Sequence, residues 1–289
     1  MAGASRWRTE RENRRFFAHF AGRRIQLLPP VPVGTFYRTI GTMAELTSLA
    51  QYLLAITPAF LVCAALLLAL PRAAPRSVPL LRVLVHMLFF VLARDAMTAH
   101  GYWQVAAGGL RFTAPPPVLL ALGAMSLALV ASTCWLESEA RRQIRWLGTR
   151  PLLSVLLGVA GAALVVALAT GLKALSGLPS LAPVAPSMLP LLLGFALAAN
   201  CYEELLFRGL LQQQLRAWLP AWRAALVSGL LFGLCHAFLA TTVTQVGAPI
   251  LVFTVIEGVV AGLVYCRAGL LGASLAHGLA IFALAAGWV

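Results

Sequence analysis

One pattern repeats along most of the chain: an apolar run of about twenty residues, then a short break rich in proline, glycine or arginine. At ~1.5 Å per residue such a run crosses a ~30 Å hydrocarbon layer as a helix. Only helices and closed barrels satisfy every backbone group inside a bilayer, so the pattern leaves few folds open. The runs fall at 46–70, 78–98, 117–137, 152–175, 188–215, 221–240, 246–266 and 269–289. They predict an all-α, polytopic transmembrane helix bundle of about eight spans. The breaks carry turn chemistry, among them Pro115-Pro116-Pro117, Gly148 to Pro151, Gly177 to Pro190, Pro220 and Gly269.

Composition and charge narrow the class further. Hydrophobic residues make up 61% of the chain and charged ones 11%, outside the range of soluble domains. A net charge of +13 could suit nucleic acid, but the 22 Lys+Arg lie between apolar runs, where they face anionic headgroups. The expected partner is therefore a lipid bilayer, with no nucleic acid. The loop arginines do not settle orientation. The five cysteines (Cys63, Cys134, Cys201, Cys235 and Cys266) sit in or beside apolar runs without CxxC spacing, and read as small buried hydrophobes.

Three regions follow from composition: a basic N-terminal tail (1–45), a first set of spans (46–184), and a C-terminal set (185–289) that holds the polar motifs. The tail interleaves Arg6, Arg8, Arg11, Arg14, Arg15, Arg23, Arg24 and Arg38 with Trp7, Phe16, Phe17 and Phe20. It reads as a basic interfacial helix, as a disordered tail, or as an over-extended start ahead of Met43. In the span 78–98, Arg82, His86, Arg94 and Asp95 are expected to snorkel or pair locally.

Acidic residues number nine, and two of them, Glu203 and Glu204, sit together with Arg208 inside an apolar run. Ionisable groups at bilayer depth are costly and read as functional. On a helix Glu204 and Arg208 are i,i+4 and share a face, whereas Glu203 points about 100° away. One carboxylate is thus expected to be locked by the arginine and the other left free. His236 and His277 lie in later spans. Counting ~1.5 Å per residue from the loops of one side, Glu203 and His236 are both ~21 Å deep and His277 ~14 Å. All three are therefore expected to meet in one cavity.

A carboxylate held away from water is a strong base, and a neighbouring histidine can share and polarise a water molecule with it. A second histidine can donate to a developing oxyanion. This set suits hydrolysis of a peptide bond without a protein nucleophile. Two readings compete with it. In the structural one, both carboxylates pair with Arg208 and the histidines are core residues. In the other, Glu203 and the two histidines bind zinc, although no HExxH is present and three separate helices would have to supply the ligands. No metal or other cofactor is expected.

Glu203-Glu204, Arg208, Phe232 with His236, and His277 together resemble the CAAX protease and bacteriocin-processing (Abi) family of glutamic-type intramembrane proteases. The resemblance covers roughly residues 185–289. It implies that Glu203 and His236 activate water, that His277 helps hold the oxyanion, and that Glu204 and Arg208 order the site. It also implies a multi-pass protein of a bacterial cell membrane acting on a membrane-associated protein or peptide. The substrate would be a lipidated C terminus, a leader or a sorting anchor. The family usually has Asn or Asp four residues after the last histidine; this chain has Ile281. By helical face and depth, Asn200 and Ser274 are the candidates for the missing donor, with Asn200 favoured because it too is an amide. Glu257, with no cation near it in sequence, reads as a substrate contact or as a protonated acid bonded inside the bundle. The opposing class is a membrane transporter or an immunity-type binding protein using the same cluster. Inverted repeats would favour the transporter, and none is visible.

Overall fold

The computed structural model describes residues 43–70, 77–106, 109–176, 182–237 and 248–289. The basic tail, read above at 1–45, lies outside them except for its last three residues. The bundle is helical, as the apolar runs require. Helix α1 (Met43–Ala69) is followed by α2 (Ser77–Ala99), α3 (Pro116–Leu136), a short α4 (Ser138–Gln143) and α5 (Pro151–Ser176). Then come α6 (Leu189–Glu204) with its continuation, α7 (Ala221–Cys235) and α8 (Ala248–Ala285). Among the described residues, five helices are long and apolar enough to cross a membrane. Leucines such as Leu54, Leu68 and Leu152 are 70–73% exposed on their outer faces. A soluble surface would not carry apolar area on that scale, whereas lipid suits it. This is an integral membrane protein.

The expectation of about eight spans is matched only in part. Helix α2 carries Arg82, Arg94 and Asp95, and α7 has only 15 residues. The runs 246–266 and 269–289 appear as one element, α8, whose 38 residues are interrupted at Gly269 (φ 70°, ψ −169°). There the chain doubles back: a Cβ on Gly272 would lie 3.2 Å from the Val264 side chain on the other arm. Glycine is required at the turn, since a Cβ on Gly269 would fall 2.6 Å from the Arg145 carbonyl oxygen. The loop after α4 clamps it. Leu270 N–H donates to Arg145 O at 2.7 Å and Leu271 N–H to Trp146 O at 3.0 Å, while the Arg145 guanidinium caps Cys266 O at 2.7 Å. Donors at the start of one arm and a carbonyl at the end of the other are thus satisfied.

Two features depart from a plain α-helical bundle. Residues 99–116, read as a connection, contain an antiparallel pair, β1 (Trp103–Ala106) and β2 (Gly109–Phe112), with Trp103 opposite Phe112. Its signal is the alternation Trp103, Gln104 and Leu110, Arg111, Phe112, too short to stand out beside spans of twenty residues. The run 188–215 is not uniform either: after Glu204 the chain winds as a π-helix over Leu205–Gln212, all of it buried. π-Helical turns are rare and gather at functional sites. Here they let Arg208 donate to Gly258 O (2.5 Å) and Gln212 to Gly262 O (3.0 Å), both on α8.

Small residues bring α7 against α8. A Cβ on Gly233 would overlap the Val255 side chain at 2.2 Å, and one on Gly229 would meet Val259 at 2.6 Å. Gly258 and Gly262 face the same seam. Without water to drive association, helices in lipid pack best where small residues let backbones approach.

A second buried polar cluster ties the first three helices together. Arg82 donates to Glu137 (2.7 and 3.0 Å) and to the Leu67 and Leu70 carbonyls at the end of α1. His86 Nε2 lies 3.0 Å from the same carboxylate. These two α2 residues pair across the fold and not locally.

Candidate active site

The C-terminal end of α6 sends its two adjacent carboxylates to different places. Glu204 is fully buried, and its Oε1 accepts from Arg208 Nη1 at 2.7 Å and from His277 Nδ1 at 2.8 Å. Glu203, one residue earlier and about 100° round the helix, faces a cavity of about 420 Å³. Among the described residues Glu203 makes no side-chain hydrogen bond or ion pair. One carboxylate is locked and one is free, as the spacing predicts.

Helix α7 ends at Cys235, earlier than the expected 240, and His236 forms its C-terminal cap (φ −96°, ψ 2°). Its ring helps end the helix, with Nδ1 lying 2.8 Å from Phe232 O. A carbonyl only accepts, so Nδ1 carries the proton and Nε2 is left with a lone pair. The Phe232 ring lies 4.5 Å from the His236 ring and 5.3 Å from that of His277, with the Arg208 guanidinium 4.8 Å from its centre. Phenylalanine at this position thus orients one histidine through its carbonyl and packs against the other through its ring.

His277, on the second arm of α8, is hydrogen-bonded at one nitrogen and has a carboxylate near the other. Nδ1 donates to Glu204, and Nε2 lies 3.8 Å from Glu257 Oε1 on the first arm. Glu257, without a cation nearby in sequence, therefore has one in space. The Gly269 turn brings it there. A ring protonated at both nitrogens has a carboxylate facing each of them.

Glu203, His236, His277, Glu257, Asn200 and Ile281 all line the same cavity, whose remaining wall is mostly apolar. Asn200 is buried and its Nδ2 donates to Ala196 O at 2.7 Å, which commits one of its two amide hydrogens to its own helix. Ser274 is buried but is not part of the cavity wall; its hydroxyl lies beside Cys201. Arg94, expected only to snorkel or pair locally, is also in the wall. It does pair with its neighbour Asp95 (2.7 Å), as expected, but it also donates to Cys235 O at 2.6 Å. Nothing in the sequence relates α2 to α7 at this point. Among the described residues, no three His, Cys, Asp or Glu side chains are grouped so as to hold a metal ion.

A family model described as Rce1-like, type II CAAX prenyl endopeptidase Rce1-like, matches residues 185–283. No curated protein and no solved structure matches the chain. Over residues 185–283 the chain is similar to the Rce1-like type II CAAX prenyl endopeptidases, and the resemblance carried by Glu203-Glu204, Arg208, Phe232, His236 and His277 is thereby borne out.

Proposed function

We propose that this protein is an intramembrane endopeptidase that hydrolyses a peptide bond near the membrane-proximal end of its substrate, using water activated by Glu203 and His236. The observation that carries this is the division between the adjacent carboxylates: Glu204 is bound by Arg208 and His277, while Glu203 faces the cavity without a partner among the described residues. A structural pair would need only the first.

In the proposed reaction a water molecule lies between Glu203 and His236 Nε2. Its oxygen attacks the peptide carbonyl carbon while Glu203 takes a proton, and the carbonyl π electrons move onto oxygen. A doubly protonated His277 ring donates from Nε2 to that oxyanion, its orientation fixed by Glu204 at Nδ1. Asn200 offers its second amide hydrogen from the same wall. The tetrahedral intermediate collapses, the C–N bond breaks, and the proton held by Glu203 passes to the leaving amine. The products are a carboxylic acid and an amine, so the water is consumed with no protein nucleophile. Glu257 is the counter-charge for His277 and a substrate contact.

The family match favours a CAAX-type lipidated C terminus over a leader or sorting anchor. The apolar cavity wall, with Trp103, Phe112, Met125 and Phe195, suits a lipid chain or aliphatic side chains. The reading includes a bacterial cell membrane and about eight crossings, with α2, α7 and both arms of α8 each counted as one. The test is purified full chain, in detergent, acting on an internally quenched farnesylated CAAX peptide. Cleavage is expected, and it should persist after treatment with a strong chelator. Activity lost on chelation and restored by added Zn²⁺ would replace the water-only mechanism with a metal-assisted one.

A further inference from the structure

We propose that Arg94 donates to the oxyanion, filling the place that Ile281 leaves without a donor. The inference rests on the proteolytic reading above and adds a residue from α2, outside the segment that matches the family. Arg94 has five N–H donors. Nε and Nη2 are bound to Asp95 Oδ1 at 3.1 and 2.7 Å, and Nη2 also reaches Cys235 O, the residue before His236, at 2.6 Å. Nη1 is buried and has no hydrogen-bond partner. The guanidinium therefore ends in two unused N–H groups, and Arg94 lines the same cavity as Glu203 and His236.

A structural role explains only part of this. A cation at the C-terminal end of α7 accounts for the bond to Cys235 O, and Asp95 offsets the charge. Neither accounts for two buried donors left unmade, each costly in an apolar setting. A donor fixed before the reaction, and unsatisfied until charge develops, is the arrangement that lowers a barrier and not merely a binding constant. The neutral carbonyl gains little from Nη1, whereas the oxyanion gains a charge-assisted hydrogen bond in a low-dielectric cavity. The other candidates on this wall are weaker. Asn200 has one amide hydrogen committed to Ala196 O, and Ser274 lies off the wall.

The experiment measures kcat and KM for the farnesylated peptide, and Kd for its phosphinate analogue, which mimics the charged tetrahedral state. Parent, Arg94→Ala and the double variant Arg94→Ala/Ile281→Asn are compared. Arg94→Ala is expected to lower kcat by about 10²–10³-fold with KM nearly unchanged, and to weaken phosphinate binding to a similar extent. Ile281→Asn should recover part of both losses, which a folding defect would not allow. Arg94→Ala with kcat and phosphinate affinity like the parent's would overturn the proposal. So would a loss seen with the free-acid peptide and absent with its C-terminal amide, since that would assign Arg94 to the substrate's terminal carboxylate. If the parent binds the phosphinate but cleaves nothing, the proteolytic reading fails while the Arg94 comparison still stands on Kd. A parent that binds neither peptide nor phosphinate overturns both.

Discussion

Glu203→Gln is expected to abolish cleavage of the farnesylated peptide while leaving the protein folded and at normal levels in the membrane. Removing a positioned general base costs on the order of 10²–10⁴-fold. Glutamine keeps the size and much of the polarity of the side chain, and no bond is lost, because Glu203 makes none among the described residues. His236→Ala should have a comparable effect on rate, since it removes the lone pair at Nε2 that shares the water. The measurement is initial rate, normalised to folded protein by size-exclusion chromatography in detergent. Cleavage by Glu203→Gln at the parent rate would remove Glu203 from the mechanism.

Stability should fall, in contrast, when the neighbouring carboxylate is changed. Arg208→Ala leaves Glu204 buried with only His277 beside it, and Glu204→Ala leaves Arg208 buried without its carboxylate. Breaking one side of a buried pair costs about 3–5 kcal/mol. Each variant also loses a second contact: Arg208 its bond to Gly258 O, and Glu204 its bond to His277. Unfolding in mixed micelles with increasing SDS should show both midpoints shifted well below that of Glu203→Gln. The double variant should cost less than the sum of the two, because neither charge is then left alone. Midpoints for Arg208→Ala and Glu204→Ala equal to the parent's would mean the pair carries no structural weight.

What the sequence made legible was local or periodic. Apolar length fixed the helices to within a residue or two at most ends, and the i,i+4 step from Glu204 to Arg208 predicts the ion pair that is found. Depth counting brought Glu203, His236 and His277 to one cavity because the rise per residue is similar along the three counted segments. The features it missed depend on contacts between elements distant in the chain. The Gly269 turn carries Glu257 to within 3.8 Å of His277, a proximity with no trace in their spacing. Arg94 and Asp95 pair as neighbours do, and that pairing concealed the reach of Arg94 to Cys235 on α7. The π-helical turns at Leu205–Gln212 are invisible to a 3.6-residue period because they are sustained by α8, through Arg208 and Gln212.

The seam between α7 and α8 has a mechanical consequence. Gly229, Gly233 and Gly258 leave no room for even a methyl group between the two backbones, so neither helix can slide or turn without overlap. In effect it is a rigid joint, with His236 at the end of one member and Glu257 on the other. Bilayers differ in thickness, and helices answer such differences by tilting. Tilt can carry α7 and α8 together as one lever, but it cannot change the spacing of the groups they bear. The side of the cavity that carries His236 and Glu257 should therefore keep its geometry from one membrane thickness to another.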